Sequence, residues 1–131
     1  MNLSRLIKKG LISVYAPLVS FVVICGFIAN WIATDILKSD IVDFIIMTTV
    51  FISIAIGWTW WSYKIVKWKY FAFSKLTVDE SYDLYTKAIE SGLIWPTGSI
   101  FNKTEIWTKE DKKKWSNLNL EIREIFELEA E

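Results

Sequence analysis

The stretch LISVYAPLVSFVVICGFIANWIAT, residues 11–34, contains 24 positions without a charged side chain. A helix of about 20 apolar residues crosses the roughly 30 Å of bilayer hydrocarbon, so this run predicts a transmembrane helix. A second run, IVDFIIMTTVFISIAIGWTWWSY at residues 41–63, carries one charge, Asp43, near enough to its end to reach the headgroup layer. A buried helix in a soluble protein shows one apolar stripe about 100° wide, whereas these runs are apolar on every side. The first run also differs from a secretory signal, although Arg5, Lys8 and Lys9 precede it. It outlasts an h-region of about 7–15 residues, and Phe27-Ile28-Ala29 and Trp31-Ile32-Ala33 put bulk where a small-x-small cleavage site is needed.

Residues 35–40 separate the runs, which predicts a hairpin closed by a tight external loop. Arg5, Lys8 and Lys9 flank one end, Lys64, Lys67, Lys69 and Lys75 the other, and Lys38 alone lies between. Basic residues stay on the cytoplasmic side, so both termini are expected in the cytoplasm of a bacterial-type inner (plasma) membrane, with residues 1–10 as a basic N-terminus. The sequons at Asn2-Leu3-Ser4 and Asn102-Lys103-Thr104 are then chance matches on the wrong side for glycosylation.

The whole chain has 131 residues, of which 53% are hydrophobic and 16% aromatic, with fifteen basic and fifteen acidic side chains. That size leaves no room for a multidomain enzyme. Histidine is absent and cysteine occurs once, which removes the commonest general base, Cys/His zinc sites and an internal disulfide. Cys25 lies within the first run, where a buried thiol serves packing. Asp79, Glu80 and Asp83 cluster without the spacing or glycine of a calcium loop, and no phosphate loop or paired nucleophile and base is present. No catalytic residue, metal, cofactor or small-molecule substrate is therefore expected, and the chain is not expected to be an enzyme.

Helix contacts in lipid are marked by small and hydroxyl residues that let backbones approach. In the second run Thr49, Ser53 and Gly57 recur every four residues; in the first, Ser13, Ala16, Ser20, Asn30 and Ala33 lie near a 3.5-residue repeat. These faces are expected to pack within one hairpin or between subunits. Asn30 is expected to bond across the bundle or to water near the outer surface, and Pro17 to bend the first helix.

The second run passes into an interfacial segment at residues 64–76. Trp58, Trp60, Trp61, Lys64, Lys67, Trp68 and Lys69 form an aromatic and basic belt, with rings at headgroup level and lysines facing anionic lipid. Membrane lipids are therefore the expected partner and nucleic acid is not. Residues 1–75 carry net +5 and residues 76–131 net −5, so an acidic module at 77–131 hangs below a basic collar.

Within that module Thr77-Val78-Asp79-Glu80 reads as a capping box opening a helix to Ser91, with Gly92 as its stop and Val78, Tyr82, Tyr85 and Ile89 as its apolar stripe. A loop or short strand pair turns at Pro96-Thr97-Gly98. A second helix is expected from the Thr108 cap to Leu128, with the stripe Trp115, Leu118, Ile122, Ile125 and Phe126. Lys112, Lys113 and Lys114 would then sit at its N-terminal end and the glutamates at its C-terminal end, against the helix dipole, an arrangement that a head-to-tail or antiparallel partner would relieve. Leu93, Ile94, Trp95, Ile100, Phe101, Ile106 and Trp107 either fill a small core between these helices or make a docking surface, for which Trp95, Phe101, Trp107, Trp115 and Ile122 are the candidates.

The expected class is a membrane all-α protein: a two-helix hairpin with a small, mainly α tail. Function divides between a non-catalytic anchor, adaptor or accessory subunit of a membrane complex and a self-assembling, membrane-permeabilising homo-oligomer controlled by its tail. The first 75 residues resemble two-span holins in layout, a resemblance that implies the second reading, as for a lysis protein or a defence effector.

Overall fold

The computed structural model describes residues 2–37 and 42–127. Within them the chain is mostly helical and has no strand. Helix α1 (Leu3–Trp31) continues into a π-helical turn over Ile32–Leu37, and α2 (Val42–Phe73) returns. Then follow α3 (Val78–Glu90), a 3-10 turn (Ile100–Thr104), α4 (Lys109–Ser116) and α5 (Leu120–Ile125). The expected boundary at residue 34 moves, because the helical path carries on through residues 35–37; the rest of the expected loop, 38–40, lies outside the described residues. The boundary at residue 63 has no structural counterpart either, since α2 runs unbroken to Phe73.

The two long helices pack as an antiparallel hairpin, and each is long and apolar enough to cross a membrane. At 1.5 Å per residue their 29 and 32 residues reach about 44 and 48 Å, well beyond a hydrocarbon core of roughly 30 Å. Asn2 caps α1 by accepting a bond from the Ser4 amide. The sides in contact rest on an i, i+4 row in each helix. On α1 it is Leu6, Gly10, Val14 and Leu18, followed higher up by Ala29 and, in the π-helical turn, Ala33; on α2 it is Ser53, Gly57, Trp61 and Ile65. Glycine is needed where large groups lie against backbone: a Cβ on Gly10 would stand 2.5 Å from Trp68 Nε1, and one on Gly57 would stand 3.2 Å from Leu18 Cγ.

The remaining residues wrap one end of this hairpin. Helix α3 opens with the capping box of Thr77 and Glu80. It closes on a Schellman motif, in which Gly92, at φ 70°, bonds the Ile89 carbonyl and Leu93 bonds that of Ala88. Its inward side is Ser81, Leu84, Tyr85 and Ala88; of the expected stripe Tyr85 is buried and Val78 and Ile89 pack half-buried against the same core, whereas Tyr82 is 59% exposed. Small residues explain the rotation: Ser81 satisfies its hydroxyl on the Thr77 carbonyl at 2.7 Å and, with Ala88, lets α3 lie close to α1.

No strand pair forms at 93–101; the chain turns through Gly98, at φ 86°, into the 3-10 turn. The expected long final helix is broken at 117–119. Asn117 ends α4 and Asn119 caps α5 by accepting from the Glu121 amide at 3.1 Å, so residues suited to helix ends prevail over a continuous stripe. The break removes the unfavourable dipole arrangement: Lys113 and Lys114 fall in the last turn of α4, and Glu121 falls in the first turn of α5.

One apolar core joins all of this. Ile65, Ala72 and Phe73 of α2 and Leu6 and Val14 of α1 meet Leu84, Leu93, Ile94 and Ile122 from the C-terminal residues. Edge-on aromatic pairs run from Trp68 to Phe73, from Phe73 to Phe126 at 4.9 Å, and on through Trp115 to Trp107. The core therefore lies between the C-terminal segment and the ends of the long helices, whereas the sequence suggested a core among the tail helices themselves.

Candidate functional site

The C-terminal segment covers one side of the hairpin end and is pinned there by polar contacts. Tyr15 donates to the Gly92 carbonyl at 2.7 Å, Trp58 Nε1 to Thr104 Oγ1 at 3.0 Å, and the Ile106 amide to the Ser62 carbonyl at 3.1 Å. Lys69 Nζ meets Glu105 Oε1 at 2.5 Å, with side chains only 6% and 3% exposed.

Along the hairpin two recesses, together the groove, follow one another between α1 and α2. Lys9, Ser13, Pro17 and Phe21 line it at every fourth residue of α1, and Ile56, Trp60, Lys64, Lys67 and Phe71 line it from α2 at helical spacing. Its apolar part, about 210 Å³, is bounded by Pro17, Leu18, Phe21, Ile56, Gly57 and Trp60. Its basic part, about 180 Å³, begins one turn further on, bounded by Lys9, Ser13, Lys64, Lys67, Trp68 and Phe71. No carboxylate lines either part.

Each lysine of the groove rests on a ring. Lys64 lies 4.6 Å from the Trp60 ring centroid, Lys67 4.6 Å from that of Tyr63, and Lys9 and Lys75 share Phe71 at 4.5 and 3.9 Å. Such contacts hold an ammonium against an apolar wall. The Tyr63 hydroxyl and, more weakly, the charges of Asp111 and Glu110 raise the Lys67 ammonium above the ordinary lysine value. Those two acids have nearer partners: Asp111 caps α4 through Thr108, and Glu110 pairs with Lys114 at 2.5 Å.

The sequence-derived residues divide between these surfaces. Ser53 and Gly57 are buried and Thr49 half-buried, on the side of α2 toward α1. The expected small-residue face of α1 is corrected in part: Ala33 is buried, but Ser13, Ala16, Ser20 and Asn30 are exposed and do not pack within the hairpin, where α1 meets α2 through Leu6, Gly10, Val14 and Leu18. Larger side chains fit because Gly57 supplies the clearance. Asn30 accepts the Thr34 hydroxyl at its carbonyl, and Ser20 bonds Ala16 within its own helix.

Of the belt, Trp60, Lys64 and Lys67 stand on the groove. Trp61, Trp68 and Lys69 are corrected to buried positions, because the C-terminal segment or α1 covers their faces of α2. Trp58 turns to the covered side, against Phe101 at 5.3 Å. Among the docking candidates Ile122 is buried in the core, and Trp107, Trp115 and Phe101 are half-buried in aromatic contacts. Trp95 is 39% exposed and stacks on Phe101.

Lys9, Pro17, Phe21 and Ile56 are groove residues that the sequence does not by itself assign to a site. The signal was present in the row 9, 13, 17, 21, which pairs with 56, 60, 64, 67, 71 once the helices are set antiparallel. No protein-family model matches the chain, and no curated protein and no solved structure matches it.

Proposed function

We propose that the chain is an integral membrane protein, a hairpin anchor with both ends on the cytoplasmic side. It holds a compact acidic head under the membrane and acts by association, as an adaptor or accessory subunit, rather than by catalysis. One observation carries this reading: the C-terminal segment covers only one end of the long helices. Beyond it, Phe27 at 74% and Phe44 at 71% exposure head a belt of bare apolar side chains that water would not tolerate and lipid would. The chain then enters the bilayer near Pro17 and leaves it, on the same side, near Trp60, with about 20 residues of each arm inside. Exposed Trp95, Ile100 and Ile106 belong to the segment pinned at the level of Trp58 and Ser62, suited to the headgroup boundary.

The pore reading draws less support. Ser20, Thr34, Thr48, Thr49, Ser53 and Thr59 each spend their hydroxyl on the carbonyl four residues back, leaving few free donors to line a water path. The test combines topology with permeability. In a Cys25→Ser background, Asp35→Cys should label with a membrane-impermeant maleimide in intact cells and Lys112→Cys only after permeabilisation. Purified protein in liposomes should release no trapped dye. Labelling of Lys112→Cys from outside would overturn the orientation, and leakage at low protein-to-lipid ratio would return the pore reading.

A further inference from the structure

The geometry points to a binding site for one anionic phospholipid in the groove between α1 and α2, with its phosphodiester among Lys9, Lys64 and Lys67 and an acyl chain against Pro17, Phe21, Ile56 and Trp60. The inference rests on the membrane placement proposed above and adds a defined occupant to it.

Three observations carry it. First, three lysines of the chain line one recess of about 180 Å³ that no carboxylate lines. Like charges in one recess repel, and an anion between them turns that repulsion into attraction. Lys69, one turn away, shows the alternative fate: it is turned to the covered side and neutralised by Glu105. Second, the recess is continuous in register with an apolar slot of about 210 Å³ floored by Gly57, one turn nearer the bare apolar belt. A soluble anion has no use for that slot, whereas a lipid has one part for each half. Third, Trp60 stands between them, its ring forming a wall of the slot and carrying the Lys64 ammonium at 4.6 Å, at the level where headgroup and chain join.

The test uses the full chain, purified in mild detergent and examined by native mass spectrometry after exchange into equal amounts of phosphatidylglycerol and phosphatidylcholine. The wild type should retain one phosphatidylglycerol in preference. Each lysine near an anionic lipid contributes about five-fold in affinity, so K9Q/K64Q/K67Q should lose the preference by about a hundred-fold. K9R/K64R/K67R should keep it, and K103Q/K109Q/K112Q, on exposed residues elsewhere, should bind as the wild type does. Ile56→Trp, which fills the slot and spares the recess, should weaken lipid retention without touching a lysine.

Equal retention of both lipids, or full retention by the triple glutamine variant, would overturn the site while leaving the anchor reading intact. Displacement of the lipid by millimolar glycerol phosphate would show a soluble-anion site and would also overturn it. Protein recovered in the aqueous phase without detergent would refute the membrane placement and the site together.

Discussion

The Lys69–Glu105 pair offers the sharpest perturbation of the head. Both side chains are nearly inaccessible, at 6% and 3%, and the atoms meet at 2.5 Å beside the Phe126 ring, 5.4 Å from the ammonium. Glu105→Gln keeps the shape and leaves a buried ammonium without its counter-charge. Breaking a buried pair in this way costs about 3–5 kcal/mol, and on a total stability of about 5–15 kcal/mol it shifts the folded-to-unfolded ratio by about two to four orders of magnitude. Lys69→Met/Glu105→Leu removes both charges together and is expected to recover most of that loss, since apolar groups of similar volume often replace such pairs at no cost. Urea unfolding in mild detergent, read by the fluorescence of the head tryptophans, measures all three proteins. The exposed pair Lys114–Glu110, also at 2.5 Å but with side chains 46% and 74% exposed, is the control and should yield little measurable change in Glu110→Gln. A Glu105→Gln loss no larger than that control, or a double variant as weak as the single one, would refute the reasoning.

The glycines should rank by clearance: Gly10→Ala, with atoms at 2.5 and 2.6 Å, should cost about 1–3 kcal/mol, Gly57→Ala less, and Gly26→Ala, which has nothing within 4 Å, no packing penalty. Thermal unfolding of the three variants checks the order, and Gly57→Leu should separate the helices in cysteine crosslinking. Phe73→Ala, at a fully buried centre, should cost about 3–5 kcal/mol and open the head to trypsin, whereas Trp95→Ala loses one exposed stack worth about 1 kcal/mol and should leave the cleavage pattern close to wild type. Bonds from the Thr77 amide and hydroxyl hold the Glu80 carboxyl below the ordinary glutamate value. A depressed folded value means the cap contributes at neutral pH and is lost as pH falls through that value; an NMR titration placing Glu80 at or above ordinary glutamate would contradict it.

Features encoded by neighbouring residues were legible before folding. The charge-free runs yield two long helices, and Thr77 with Glu80 and Gly92 marks both ends of α3, because each signal needs only a few adjacent residues. The contact face of α1 was not legible. Every side of that helix is apolar, so periodicity carries no phase, and the small residues at 13, 16 and 20 misdirect where one glycine on the partner helix provides the room. Nor does spacing show that Lys69 would leave the basic belt for an acid 36 residues later, since that depends on how the head docks. The break at Asn117 and Asn119 was readable in principle; their capping preference was outweighed in the reading by a stripe that the two short helices still share.

The division of the core has a consequence for how the protein is made. Leu6, Ile65 and Phe73 belong to the two long helices, which come first in the chain, and their cover, Leu93 and Ile122, follows later. The long helices are therefore synthesised with a sticky flank that stays bare until the last residues arrive. A cut in the short link between Phe73 and Val78, followed by loss of the downstream piece, would recreate that state in the finished protein. Two such remnants would each expose the same apolar flank, so damage at this link should appear as association of the membrane part as well as loss of the head.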